Sequence, residues 1–297
     1  MGVVGTKPPA TGGGGTDRRS LTGRIFRVLD AFADTGDSLT PAEVVRRTGL
    51  PKTTAHRILN DLVHAGALTR TERGLSLGVH LFELGSVVPA NRRLREIAVP
   101  FMEDLYEASH EVVHLGILDG SDVLYLVKIS GHERVPLPTR DGARMPVHAT
   151  ALGKTLLAAS PRAVVRRLLD QPLRALTPRT IVAKDVLWAE LAEAARTGVA
   201  FDHEEAVTGV VCVAAPITVT GFQSHAAISV TGPPDRFDPQ HAAAAVRLAG
   251  FAISRSVNGP DRGPPDAPVP EHRDVPESGT PRLPPGRPGQ TPSMWSE

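Results

Sequence analysis

The 297-residue sequence lacks most features of a secreted or membrane protein. Its single cysteine, Cys212, cannot close an intrachain disulfide, and only 4% of its residues are aromatic. No stretch approaches the roughly 18 consecutive apolar residues that a transmembrane helix needs. Residues 1–20 contain no apolar segment of the kind found in a secretion signal. We therefore expect a cytoplasmic protein without membrane contact, and its 41% hydrophobic residues are enough to build a globular core.

Low apolar content at both ends separates two tails from a folded middle. Residues 1–17 are rich in Gly, Pro and Thr, and residues 258–297 are rich in Pro and charge. Such segments cannot bury enough apolar surface to offset the entropy of ordering them, so we predict disordered tails. Between them the pattern predicts an α+β protein, with one domain at 18–87, a linker helix at 88–109 and a second domain at 110–257.

The first domain is predicted to contain three short helices followed by a hairpin. The second helix opens with Thr40-Pro41-Ala42-Glu43, a capping box with proline at the first helical position, and ends before Gly49. Thr48-Gly49-Leu50 connects it to a third helix that starts at Pro51, which is the length of a helix-turn-helix connection. Alternating residues from 68 to 77 surround a polar turn and predict the hairpin. This order indicates a winged helix-turn-helix.

The third predicted helix has a continuous polar face opposite an apolar one. A surface helix commonly has such a solvated face, but the capped helix before it and the hairpin after it favour DNA binding. Arg and Asn near the N-terminal end of a recognition helix pair with guanine and adenine. Ten basic residues against six acidic ones between Arg18 and Arg73 also favour a polyanionic partner. The predicted DNA-binding residues are Lys52, Thr53, Thr54, His56, Arg57 and Asn60 in the helix, with Arg70 and Arg73 at the hairpin tip.

The second domain alternates strands and helices. A linker helix with a kink or restart at Pro100 leads into a hairpin over residues 112–129. Three helices are predicted between residues 149 and 197, two strands between 210 and 231, and a last helix over 238–257.

The segment Leu50–Leu62, which reads LPKTTAHRILNDL, resembles the helix-turn-helix signature of the IclR-type transcriptional regulators. Residues 148–154, 212–217 and 227–233 are similar to the effector domain of that family and follow in the family's order. The resemblance implies a GAF-like domain that binds a small effector and assembles as a homodimer or homotetramer. The effector site that it implies consists of Thr150, Ala151, Leu152, Asp202, Cys212, Ser229 and Thr231.

The resemblance further implies a regulator whose affinity for an operator in double-stranded DNA is changed by a short carboxylic or aromatic acid. It implies no cofactor. Another possibility is an architectural DNA-binding protein whose second domain binds no ligand. Titration of metabolites against operator binding separates that possibility from an effector-responsive regulator.

The alternative from another class is a metal- or cysteine-dependent enzyme. The residues available to it are Asp202, His203, Cys212 and His225. No second base at suitable spacing accompanies Cys212. Residues 110–114 match the zinc-peptidase pattern H-E-x-x-H, but His110 is predicted to close a helix and His114 to lie in a strand, so both cannot bind one zinc ion. We therefore predict no catalytic residue and no metal site.

Overall fold

The computed structural model describes residues 20–33, 38–86, 89–131, 137–219 and 226–259. The predicted tail at 1–17 lies outside the described residues, as does nearly all of the predicted tail at 258–297. The described residues form an α+β fold, as predicted, with a helical N-terminal region followed by a six-stranded sheet. Within them, none of the helices combines the length and the apolar character needed to cross a lipid bilayer.

The N-terminal region is a winged helix-turn-helix. Its elements are α1 (Leu21–Ala33), α2 (Pro41–Thr48), α3 (Lys52–His64), β1 (Leu68–Thr71) and β2 (Gly74–Leu77). The capping box of α2 is present: the Thr40 hydroxyl accepts from the Glu43 amide, and the Glu43 carboxylate accepts from the Thr40 amide. Gly49 has φ 65°, a left-handed conformation that glycine adopts without side-chain strain, and this turns the chain into α3.

The apolar side of α3 forms the centre of this region's core. Its buried members are Ala55, Ile58, Leu59 and Leu62. They pack with side chains from the other elements, including Val28 and Phe32 of α1, Val44 of α2, Leu68 of β1 and Leu75 of β2. Because the apolar face is buried, the polar face of α3 points outward as predicted.

Two helices follow the wing, and the first of them was not predicted from the sequence. The first, α4 (Val79–Ser86), has no buried residue and was not predicted because its apolar positions show no strong helical period. The second, α5 (Pro89–Ser109), continues through Pro100, so of the predicted kink or restart the restart does not occur, and the kink stays a prediction. Proline removes one helical hydrogen bond, but burial of Leu94, Met102 and other residues against the sheet stabilises the helix on both sides of it.

The C-terminal region is built on a sheet of order β5-β4-β3-β8-β7-β6 in which all neighbours are antiparallel. The strands are β3 (Val112–Asp119), β4 (Asp122–Ile129), β5 (Arg144–Pro146), β6 (Ala200–His203), β7 (Val211–Ile217) and β8 (Ala226–Gly232). The helices are α6 (Ala151–Ala158), α7 (Arg162–Leu169), α8 (Lys184–Thr197) and α9 (Pro239–Asn258). The two edge strands β5 and β6 were not predicted, because three or four residues are too few to show a period.

The two faces of this sheet carry separate cores. Along β7, Val213 packs in a core with side chains of α5 and α9, while Cys212 and Ala214 pack in another core with side chains of α6, α7 and α8. This alternation follows from the two-residue period of a strand. The face covered by α6 is therefore the face on which Cys212 and its neighbours lie.

Candidate functional site

The predicted DNA-binding residues are exposed, except for one that is half-buried. Lys52, Thr53, His56, Arg57 and Asn60 are exposed on α3, and Thr54 is half-buried. Arg73 is exposed in the turn between β1 and β2.

Arg70 lies within β1, next to the hairpin tip that it was predicted to flank, and its guanidinium donates to the side-chain oxygen of Asn60 at 3.3 Å. This hydrogen bond joins the wing to the recognition helix and engages one polar atom of Asn60. The amide nitrogen of Asn60 and the second lone pair of its oxygen remain for a base contact.

A small cavity of about 30 Å³ lies between the sheet and the first turn of α6. The seven residues of the predicted effector site all line it: Thr150, Ala151, Leu152, Asp202, Cys212, Ser229 and Thr231. The lining residues that sequence reasoning missed are His114, Tyr125, Leu137, Pro138, Thr139, Met145, Ala206, Val207 and Val210.

Strand register explains why residues far apart in the chain meet in this cavity. Asp202 pairs with Cys212, which pairs with Thr231 on β8. Two residues before Thr231 on β8, Ser229 pairs with His114 on β3. Directly opposed residues of antiparallel strands share a face, so these side chains point to the same side of the sheet.

The first turn of α6 supplies backbone donors to the cavity. The Thr150 hydroxyl accepts from the Gly153 amide at 3.0 Å, and the Thr150 carbonyl accepts from the Lys154 amide. The amides of Ala151 and Leu152 precede any intrahelical acceptor, so they are available to a ligand at the positive end of the helix dipole. Gly153 allows this turn to pack closely, because a side chain there would collide with the Val147 carbonyl.

Asp202 is a buried carboxylic acid in the cavity wall. One of its oxygens accepts from the amides of Glu205 at 2.7 Å and Ala206 at 3.4 Å. Burial raises the pKa of Asp202 to about 7, and the Glu205 carboxylate adds to this rise. Asp202 therefore changes charge near neutral pH, beside the backbone donors of α6.

The loop that follows β6 is fastened to α6 by a buried ion pair. Lys154 Nζ donates to Glu205 Oε1 at 2.6 Å, and both side chains are almost fully buried. The Thr177 and Thr180 hydroxyls donate to the carbonyls of Glu204 and Glu205, each at 2.7 Å. These contacts hold two walls of the cavity in a defined position.

Neutral polar groups form the floor. The Ser229 hydroxyl is fully buried and has no hydrogen-bond partner within the described part of the chain. The Thr231 hydroxyl donates to Cys212 Sγ at 3.0 Å. Burial raises the pKa of the Cys212 thiol to about 12 and lowers the pKa of His114 to about 3, so both are uncharged at neutral pH.

The described residues of the alternative enzyme are divided between the surface and the cavity wall. His203 is exposed and stacks on Phe201, whereas its neighbours Asp202 and Cys212 are buried in the cavity wall. His225 lies outside the described residues. Where the structure describes the chain, no group of three His, Cys, Asp or Glu side chains could hold a metal ion. The raised pKa of the Cys212 thiol also makes it a poor nucleophile.

The segment of residues 137–143 connects the cavity with the N-terminal region. Its residue Thr139 lines the cavity, and the next residue, Arg140, donates from its guanidinium to the carbonyl of Ala33 at the end of α1. Asp141 pairs with Arg95 of α5 at 3.6 Å. These two contacts join the segment that carries Thr139 to the end of α1 and to α5.

Two family descriptions match most of the described chain. "IclR helix-turn-helix domain" matches residues 22–72, and "Bacterial transcriptional regulator IclR C-terminal" matches residues 88–255. The chain belongs to the IclR family. It is a transcriptional regulator with a DNA-binding N-terminal region and an effector-binding C-terminal region.

Similar proteins are named as regulators. The HTH-type transcriptional regulator XynR of Escherichia coli K12 is 33% identical over 80% of this chain and 96% of its own length. The transcriptional repressor IclR of the same strain is 34% identical over 77% of this chain and 83% of its own.

Among solved structures, an IclR homolog from Microbacterium hydrocarbonoxydans complexed with 4-hydroxybenzoate is 32% identical. It superposes with a TM-score of 0.73 over 80% of this chain and 99% of its own. The IclR of Thermotoga maritima is 26% identical and has a TM-score of 0.66, over 80% of this chain and 98% of its own.

Proposed function

We propose that this IclR-family regulator binds a pseudo-palindromic operator through α3 and its wing, and that a small carboxylic or aromatic acid in the cavity changes its affinity for that operator. The observation that supports the effector site best is the cavity itself. There the free amides of α6 and the unpartnered hydroxyl of Ser229 line the same cavity.

The donors in the cavity suit a carboxylate. Helix N-termini bind anions through backbone amides, and the Ser229 hydroxyl adds a side-chain donor. None of the described lining residues is a lysine or an arginine, so the anion would be held by neutral groups. When Asp202 is protonated it does not repel the anion. Apolar side chains such as Leu152, Met145 and Val207 provide a surface for a hydrocarbon body.

On the DNA side, we assign base contacts to the exposed residues of α3 and backbone or minor-groove contacts to Arg70 and Arg73. The exposed polar face of α3 and its hydrogen bond to the wing support this assignment. The proposed domains are 18–87 for DNA binding, 88–109 for the linker helix, and 110–257 for effector binding and oligomerisation. A regulator that binds an operator acts where the DNA is, so we propose the cytoplasm as its compartment.

The proposed assembly is a homodimer or homotetramer. A single winged helix-turn-helix reads one half-site, and a pseudo-palindrome needs two. In support, α4 exposes Val79, Phe82 and Leu84, and α1 exposes Leu21 and Phe26. Light scattering at micromolar concentration should give at least a dimer, and a monomer bound one-to-one to DNA would contradict this proposal.

The proposal is tested with the full-length protein and a DNA sequence that it selects from a random library. Gel-shift titration at fixed salt should show that acetate, benzoate or 4-hydroxybenzoate changes the dissociation constant for that DNA. Selection without any enriched sequence would refute operator binding. Enrichment with no response to these acids would instead favour an architectural protein.

A further inference from the structure

We propose that Arg70 of the wing is a positioning residue for Asn60: it fixes the orientation of the Asn60 side-chain amide and so sharpens the choice of base by Asn60. The inference rests on the proposed function, because it assumes that Asn60 contacts a base edge in the operator. It extends that function by giving Arg70 an effect on sequence specificity, in addition to its contact with the DNA backbone or minor groove.

The alternation of side chains along β1 directs Arg70 toward the recognition helix. Leu68 and Arg70 are two residues apart in a strand, so their side chains lie on the same face. Leu68 is 2% exposed and packs in the core that the apolar side of α3 forms. Arg70 is paired with Leu75 of β2, which belongs to the same core. Arg70 therefore extends along the edge of this core, and its guanidinium donates to the side-chain oxygen of Asn60 at 3.3 Å.

The strand that carries Arg70 is held in place by contacts with the segment before α2. Leu39 and Leu75 exchange two backbone hydrogen bonds, of 2.8 and 2.9 Å. The hydroxyls of Ser38 and Thr71 share a hydrogen bond of 2.8 Å. These contacts attach both strands of the wing to the rest of the DNA-binding region. The Arg70 side chain consequently starts from a defined backbone position.

The Asn60 amide has two orientations of nearly the same shape, which exchange a hydrogen-bond donor for an acceptor. Arginine carries only donors, so Arg70 pairs with the orientation that turns the Asn60 oxygen toward the wing. His64 Nδ1 donates to the main-chain carbonyl of Asn60 at 2.8 Å, which leaves the side-chain amide to Arg70. The amide nitrogen and the second lone pair of the oxygen are thereby offered to the DNA in one arrangement.

A fixed amide discriminates between bases better than a rotating one. Ordering one side chain at an interface weakens binding by roughly twofold to tenfold, and Arg70 removes part of this cost for the correct base. Without Arg70 the amide is able to turn over and offer the opposite pattern to a wrong base. The positive charge of Arg70 acts on phosphates, which are the same in every sequence, so its contribution cancels in a ratio of affinities for two bases.

The test first identifies the base pair that Asn60 reads. Full-length wild type and Asn60→Ala each select DNA from a random library, and the position at which the variant loses its preference marks that base pair. Gel shifts then compare the wild-type operator with operators that carry the other three base pairs there. The ratio of dissociation constants is the discrimination, and Asn60→Ala should lower it roughly fivefold or more.

Arg70→Ala should lower the discrimination at this base pair by roughly twofold to tenfold and leave the preferences at the other positions unchanged. In the Asn60→Ala background it should have no further effect on the ratio, because the amide that it positions is absent. Arg73→Ala is the matched control, since Arg73 is exposed in the turn of the same wing and carries the same charge. It should weaken binding to all four operators and keep the wild-type ratio.

An unchanged ratio in Arg70→Ala would overturn the positioning role and leave Arg70 as a contact to the DNA backbone. An equal loss with and without Asn60 would also overturn it, because Arg70 would then read a base by itself. The same holds for an equal loss in Arg73→Ala, which would make the effect one of charge. If Asn60→Ala keeps every preference, Asn60 reads no base, and the inference fails while operator binding stands. Selection of no sequence by wild type would refute operator binding, and the inference with it.

Discussion

The substitution Ser229→Ala tests the proposed effector site most directly. The Ser229 hydroxyl is fully buried and makes no geometrically defined hydrogen bond to the described residues, and its interaction with Cys212 only lowers the pKa of a thiol that is uncharged at neutral pH, so its removal leaves no charged group unpaired. Loss of one hydrogen bond to an effector carboxylate should weaken effector binding by about 1–2 kcal/mol, or roughly fivefold to thirtyfold. The melting temperature should stay near wild type, because a buried hydroxyl without a partner contributes little to folding.

Calorimetry with 4-hydroxybenzoate, a melting curve, and a gel shift without effector measure the three quantities separately. Operator affinity without effector should not change, because Ser229 lies on the sheet and not in the DNA-binding region. Ser160→Ala is the matched control: its hydroxyl donates to the Leu156 carbonyl at the end of α6, away from the cavity lining. A lower melting temperature with unchanged effector affinity in Ser229→Ala would show that Ser229 is structural and would refute the reasoning.

Three further predictions concern the DNA contacts, the route between the regions and the charge of the cavity. Arg57→Ala should weaken binding of the selected operator by about 1–3 kcal/mol and binding of random DNA by less. Replacing Arg70 and Arg73 by Ala should weaken binding to every DNA sequence and reduce the slope of log affinity against log salt concentration by about one to two. Gel shifts at several salt concentrations measure both effects, and equal losses on the operator and on random DNA would make Arg57 a phosphate contact. Arg140→Ala removes the contact with the Ala33 carbonyl. The effector should still bind to this variant in calorimetry, but it should change operator affinity less than in wild type. An undiminished response would show that the contact between Arg140 and α1 does not carry the coupling. Because the pKa of Asp202 is raised to about 7, its carboxylate loses the negative charge that repels an anion as the pH falls through that value. Benzoate should therefore bind more tightly at pH 6 than at pH 8. The Asp202→Asn variant should bind benzoate with little pH dependence.

Local chemistry was sufficient to predict the helix-turn-helix. Three features depend only on residues close to them in the sequence: the Thr40 capping box, the glycine at position 49 and the apolar spacing of α3. Each has the predicted role in the structure. The resemblance to the IclR family added the residues of the effector site, and the structure brings all seven to one cavity. That they bind an effector stays a prediction.

The composition and charge of the cavity depend on residues that are close in space but distant in sequence. No local pattern marks Tyr125 or Thr139 as cavity residues, because their neighbours there come from other strands through the register of β3, β4 and β8. Lys154 pairs with Glu205, 51 residues further along the chain, and Arg70 donates to Asn60 on the preceding helix. The charge states of Asp202 and other cavity residues likewise depend on burial, since a pKa reports the solvent and charges around a group and not its neighbours in sequence. Sequence periodicity therefore determined which faces are buried, and only the packing of α6 on the sheet determined which polar groups share a cavity and with what charge.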